Sequence, residues 1–319
     1  MKIAFLLYPT TGIKIDEDSS FWIMFELKKR GHEVFYFESK DLFWAKKAPY
    51  AYLRPTKLEA KRGYLPSPQR RDAADLSGFD CIFIRKEPPF DQGYLYALQL
   101  LGLIREKVFI LNDPQGIAMA NEKIFPLLFP GYCSESLVTE NALEAKKFIR
   151  NLRKKVVVKP LDEKGGKGIF STYSGDKNLS SFLEIATDFG KRKVIVQRFI
   201  EAAHHGDKRI LILNGRALGA FGRKPPRDDF RANLSIGGSM YKSPLSRWDL
   251  ELVEAIKRPL LESGLWFVGV DVIGKYITEI NVTSPAGIPE INYFNKTHLE
   301  QQVADFIETE EKVFRASRI

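Results

Sequence analysis

Cysteine and histidine are scarce, with two and four in 319 residues. Cys81 sits inside an apolar strand pattern and Cys133 far along the chain in a different setting. That leaves no disulfide framework and no thiolate or imidazole zinc site, and makes a reducing cytoplasm the expected compartment. No apolar run approaches the roughly 20 residues of a membrane span, so no membrane partner is expected. The opening run to Tyr8 is too short for a signal peptide and lacks a small-residue cleavage site, so it is expected to be a first strand. Internal repeats and low-complexity tracts are missing. So is any nucleic-acid motif: the formal charge of +9 is dispersed over Lys28-Lys29-Arg30, Lys146-Lys147, Arg153-Lys154-Lys155 and Lys191-Arg192-Lys193. Such clusters at helix ends or just before strands complement helix dipoles and suit anionic small substrates better than DNA or RNA.

A hydrophobic share of 44% with 28% charged residues describes a globular chain long enough for two or three compact units. The first third alternates strand and helix: Ile3 to Tyr8, the helix Phe21 to Lys29 capped by Asp18 or Ser19, Glu33 to Glu38, Asp80 to Arg85 and Val108 to Leu111. This β-α-β order predicts a parallel sheet covered by helices, ending near Pro114 to Ala120. The Pro- and Arg-rich stretch Pro49 to Asp75 reads as loops. Next come Leu137-Val138, the helix Ala142 to Leu152, the strand Val156 to Lys159, a glycine-rich turn, the helix Leu179 to Phe189 and the strand Val194 to Phe199. The remainder is β-rich. Arg209 to Leu213 and Ala217 to Phe221 flank Asn214-Gly215, a two-residue hairpin signal. A long loop from Lys224 to Lys242, a helix from Arg247 to Glu262, two strands and a closing helix from His298 to Phe314 follow.

Two segments carry chemistry. In Asp162-Glu-Lys-Gly-Gly-Lys-Gly168 the glycines let backbone amides approach phosphate oxygens and the lysines supply charge, although the spacing is neither a Walker A loop nor a Rossmann fingerprint. In the run Phe267 to Pro285, Asp271, Glu279 and Asn281 offer hard oxygen donors suited to Mg²⁺ bridging nucleotide phosphates. Glu279 and Asn281 alternate and share a sheet face. Asp271 joins them only if the connection is not a plain two-residue turn at Gly274-Lys275, so an odd-length loop or a bulge is required, and Gly274 is placed to supply it.

With these residues on the page, the chain resembles the bacterial-type glutathione synthetases, members of the ATP-grasp carboxylate–amine ligases, over nearly its whole length. The matching segments are Asp18-Ser-Ser-Phe21, Ile84 to Asp91, Asn121-Glu-Lys-Ile-Phe125, Val158 to Asp162, Gly206-Asp-Lys-Arg209 and Val268 to Pro285. The resemblance implies an α/β protein: an N-terminal parallel-sheet domain (1–120), then a two-domain ATP-grasp fold (121–200 and 201–319) with a lid loop at 224–242. It implies ATP and Mg²⁺, or Mn²⁺ in its place, held by Asp271, Glu279 and Asn281. Lys123 and Lys159 become the nucleotide lysines, Gly165, Gly166 and Gly168 the phosphate loop, and Gln197, Arg198 and Ile200 the adenine edge with Asp207 nearby. Arg209 and Arg223 are the implied catalytic cations. Ser20, Arg85, Lys86, Asp91, Arg231, Asn233 and Ser284 are the implied substrate contacts. Small-molecule substrates and a homodimer or homotetramer are expected.

The implied reaction makes an acyl phosphate from a carboxylate and ATP, then an amide, joining γ-glutamylcysteine to glycine. Departures from the family pattern at Glu163-Lys164, at Pro226 to Phe230 and at Pro289 fall near substrates. Two alternatives therefore stand beside it: a related ligase that adds amino acids to a peptide or protein end, and a nucleotide-binding regulator without turnover.

Overall fold

The structure is a computed structural model that describes residues 1–9, 15–56 and 73–318. Strand Lys2–Leu7 lies at the centre of a sheet, parallel to Glu33–Glu38 on one side and Cys81–Arg85 on the other, with Phe109–Leu111 parallel beyond it. Ile3 to Leu7 are all buried, as expected of a parallel strand covered on both faces. Asp18 caps helix Ser19–Lys29, its Oδ1 accepting from Ser20 N at 2.7 Å. The expected loop from Pro49 to Asp75 is partly sheet. Ala48–Tyr52 pairs antiparallel with both Leu42–Ala45 and Ala73–Asp75, while residues 57–72 of that expectation lie outside the described residues. Pro49 argued against a strand, but it falls near the strand's start, where a missing N–H is tolerated.

The middle of the chain forms an antiparallel sheet of Phe170–Thr172, Val156–Pro160, Val194–Arg198 and Ser136–Thr139 in that order. Helices Ala142–Leu152 and Leu179–Ala186 pack on it through Ala145, Ile149 and Leu183 against Val156, Val158, Val194 and Val196. The second helix stops short of Phe189 because Asp188 and Phe189 take left-handed φ of 46° and 51°. Lys146 and Lys147 lie within the first helix, not at its end.

A third sheet runs Ser239–Tyr241, Arg216–Lys224, Asp207–Leu213, Phe267–Ile273, Tyr276–Asn281. Asn214 and Gly215 both have positive φ, 49° and 69°, the requirement of a type I′ turn. The expected open loop at 224–242 is tied at its ends, where Gly222, Arg223 and Lys224 pair with Tyr241, Met240 and Ser239. Helix Arg247–Glu262 covers the sheet, and Ile288–Asn295, hidden in the sequence behind Pro289, precedes the closing helix Leu299–Ala316. Proline is tolerated there because it occupies the first turn.

The cores cross these sheets unequally. One joins Ala4, Leu6 and Ile82 of the first sheet to Ile210 and Val270 of the third and to Leu252 of the helix that covers it, and a second joins Ile3, Phe5 and Phe83 to Leu211 and Phe267 of the third sheet and to Val303 of the closing helix. Asn112 stitches the same two units: its side chain donates to Phe267 O (2.8 Å) and Val282 O (3.0 Å) and accepts from Phe267 N (2.8 Å). The middle sheet has a core of its own on the face covered by its two helices, while Val157 and Phe199 on the other side meet Phe230 and Ile273.

Candidate active site

The geometric condition on the acidic strands is met, at a different residue than expected. Gly274-Lys275 does make the tight turn, with Ile273 opposite Tyr276 and Val272 opposite Ile277. The register then shifts, so that Asp271 pairs with Glu279 and Thr278 is the extra residue of a bulge. Thr278 Oγ1 donates to Asp271 O at 3.1 Å, holding the bulge in place. Gly274 therefore serves the turn and Thr278 the bulge. The outcome is that Asp271 and Glu279 face the same side.

Asp271 is buried and clasped by two guanidiniums: Arg209 bonds both its oxygens, one through Nη2 at 2.7 Å, and Arg223 Nη2 reaches Oδ2 at 2.9 Å. Burial acts to raise its pKa, but these two cations hold the carboxyl below the usual carboxylate range. Arg223 also forks onto Asp207 at 2.7 and 2.8 Å, yet burial keeps Asp207 raised. Glu279 is less constrained: its carboxylate lies 3.3 Å from Lys123 Nζ and its side chain is 24% exposed. Asn281 donates to Gly269 O (3.1 Å) and Asp271 Oδ2 (3.4 Å) through its amide nitrogen, which leaves its side-chain carbonyl oxygen to ligate a cation. Two carboxylates and an amide oxygen on one face suit a hard divalent cation in kind. Among the described residues there is no cluster of three His, Cys, Asp or Glu side chains fit for a metal, so any cation here would need Asn281 and non-protein ligands as well.

Across the cleft stand the cations. Lys123 Nζ also donates to Glu163 O at 2.6 Å. Burial lowers the Lys159 ammonium to about 8. Gly165, Gly166 and Gly168 take positive φ of 65°, 80° and 66°, conformations that glycine adopts at little cost. Over this loop folds the 224–242 hairpin: Arg231 Nη1 donates to Gly166 O at 2.7 Å, and a Cβ at Gly166 would meet Asn233 Oδ1 at 2.8 Å. Lys123, Lys159, Gly165, Gly166, Gln197, Arg198, Ile200, Asp207, Arg223, Arg231, Asn233, Asp271 and Glu279 line one cleft between the middle and third sheets. Gln197 is held by Ser136 Oγ (3.0 Å), and Arg198 by Glu135 (2.5 Å) with its guanidinium over the Tyr276 ring. Gly168, Arg209 and Asn281 are not part of this lining.

The first-sheet residues fall elsewhere. Arg85 is buried, donating to Ser20 Oγ at 3.0 Å and Pro285 O at 2.8 Å. Asp91 caps helix Gln92–Gly102 through Tyr94 N at 2.7 Å, and Lys86 Nζ lies 4.1 Å from the Tyr94 ring centre. Ser284 is partly exposed just before Pro285. Their segment borders the glycine loop through Glu87, which pairs with Lys164. Sequence reasoning marked Lys164 in the glycine-rich turn but gave Glu87 no role of its own. It also overlooked Glu122, whose carboxyl is pushed up by burial and then by the Glu279 charge.

The glycine loop and two lysines face an oxygen-donor strand pair across a two-sheet cleft, the arrangement expected of an ATP-grasp ligase. Solved structures share the fold. D-cycloserine synthetase DcsG aligns with a TM-score of 0.67 at 14% identity, over 96% of this chain and 99% of that one. D-alanyl-alanine synthetase A from Vibrio cholerae aligns at 0.64 and 14%, over 98% of each. The models of the prokaryotic glutathione synthetase N-terminal domain and ATP-grasp domain match residues 1–118 and 122–296. Glutathione synthetases of Synechococcus elongatus and Nitrosomonas europaea are each 38% identical, covering 97% of this chain and 98% of each relative. The chain belongs to the prokaryotic glutathione synthetase family, ATP-dependent ligases that use a divalent metal.

Proposed function

We propose that the cleft joins γ-glutamylcysteine to glycine. The acid's carboxylate oxygen attacks the γ-phosphorus of ATP and ADP leaves; glycine's amine then attacks the acyl carbon, losing a proton as phosphate departs. Lys123, Lys159 and the amides of Gly165, Gly166 and Gly168 hold phosphates, Gln197, Arg198 and Ile200 with Asp207 border the adenine, and Arg209 and Arg223 neutralise the transferring group. Asp271, Glu279 and Asn281 would hold Mg²⁺, or Mn²⁺, which supplies charge neutralisation on the phosphates. Ser20, Arg85, Lys86, Asp91, Arg231, Asn233 and Ser284 are assigned to the acid and amine, and the hairpin 224–242 to excluding water from the acyl phosphate.

The reading divides the chain at 120 and 200, and includes a cytoplasmic homo-oligomer that acts on small molecules. The observation that carries it is the bulge at Thr278, because it aims Asp271 and Glu279 at the lysines and the glycine loop. The test is ADP release across candidate acid and amine pairs. Turnover with γ-glutamylcysteine and glycine should exceed that with any protein carboxy terminus, and equal or faster labelling of a protein acceptor would overturn the reading.

A further inference from the structure

The strand that bears Glu279 and Asn281 is gripped from outside its sheet by a residue with no assigned role. Glu122 Oε1 accepts from Val282 N (2.9 Å), Thr283 N (3.1 Å) and Thr283 Oγ1 (2.8 Å). Its backbone carbonyl accepts from Ile280 N at 2.9 Å. One residue thus fixes positions 280, 282 and 283, which alternate with Glu279 and Asn281 along the strand and continue past it. The next residue, Lys123, ends 3.3 Å from Glu279. Asn112 takes the remaining backbone group of Val282, its carbonyl, at 3.0 Å.

This grip matters because the strand's own sheet does not fix its far end. Pairing with Phe267–Ile273 ends where Gly269 meets Asn281, and the Thr278 bulge lies upstream. A bulge lets the outgoing segment twist, so the direction of Glu279 and Asn281 depends on what holds the residues beyond them. A charged acceptor receiving several short bonds is a strong holder of that kind.

We propose that Glu122 is a positioning residue for the cation-binding face: it sets the pitch of the segment after the bulge and thereby aims Glu279 and Asn281. The inference rests on the metal assignment made above. Glu122→Ala removes the acceptor, Glu122→Gln keeps an oxygen able to accept the same bonds, and Thr283→Val removes only the hydroxyl donor. Affinity for Mn²⁺ would be measured by titration in the presence of ADP, with metal-free ADP affinity and the thermal melt recorded beside it. Glu122→Ala should weaken Mn²⁺ about tenfold or more while metal-free ADP affinity stays within about twofold; Glu122→Gln should recover most of the loss, and Thr283→Val should fall between.

Unchanged Mn²⁺ affinity in Glu122→Ala would overturn the inference, as would equal losses of Mn²⁺ and metal-free ADP or failure of Glu122→Gln to recover. If Glu122→Ala does not fold, Thr283→Val decides, since an unaltered Mn²⁺ affinity there refutes the positioning role. Wild-type protein that binds no Mn²⁺, or binds it equally after Glu279→Gln, would sink the metal assignment itself.

Discussion

Asp271 and Glu279 face each other across one strand pair, yet their neutralisation should have opposite consequences. Asp271 is buried between Arg209 and Arg223, and Arg209 has no other carboxylate within bonding distance among the described residues. Asp271→Asn would strand a buried guanidinium, a change that costs about 3–5 kcal/mol when one member of a buried pair is removed. A loss of that size lowers the melting temperature on the order of 10 °C for a unit of this size. Glu279 pairs with Lys123 at 3.3 Å from a quarter-exposed position, and that buried ammonium keeps its bond to Glu163 O at 2.6 Å, so Glu279→Gln should cost less, about 1–2 kcal/mol. Its effect belongs to turnover, which should fall about 100-fold or more as a charge beside the transferring phosphoryl group is lost. Thermal melts and steady-state phosphate release at several Mg²⁺ concentrations separate the two. The reasoning fails if Glu279→Gln melts as low as Asp271→Asn, or turns over near the wild-type rate.

Three further outcomes are expected. Lys159, held at about 8 by burial, regains protons when phosphates arrive, so ADP binding between about pH 8 and 10 should take up protons, shown by calorimetry in buffers of different ionisation enthalpy, and Lys159→Met should abolish the uptake. The same depressed value means that the charged lysine disfavours the folded state, so its contribution to stability improves as pH rises through about 8 toward 10.5; a Lys159→Met difference melt that is flat across that window would contradict it. Trypsin should cut the free protein after the exposed Arg227, and ATP with both substrates should protect this bond; identical cleavage with and without ligands would remove the closing role of the hairpin.

The parallel sheet was legible because runs such as Ile3 to Leu7 bury both faces, and the hairpin at Asn214-Gly215 because its turn admits few other residues. The oxygen-donor strands were legible as residue types, and parity alone showed that a bulge was needed. Its position was not, since Thr278 has no compositional mark and its bulge depends on a bond to Asp271 O across the ladder. The clasp of Arg209 and Arg223 on Asp271 spans 62 and 48 positions, and no local pattern announces it. Glu122 escaped for the same reason: its partners lie about 160 residues downstream. The substrate contacts in the first unit came from the family resemblance, and what the sequence alone did not show is that Asp91 also caps a helix and Arg85 also braces the carbonyl of Pro285.

The unequal sharing of cores has a thermodynamic consequence. The first and third sheets interlock through Ala4, Leu6, Ile210 and Val270, through Phe83 and Phe267, and through the Asn112 stitch, so neither can lose its packing without exposing the other's. They form one cooperative folding unit despite lying at opposite ends of the chain. The middle sheet, with Ala145, Ile149, Leu183 and Val196 packed among themselves, is a second unit, touching the remainder chiefly where nucleotide would bind. Amide exchange should therefore sort the chain into two protection classes whose boundary follows the cores and not the order of residues. A bound nucleotide, bridging the units, should merge the two classes into one.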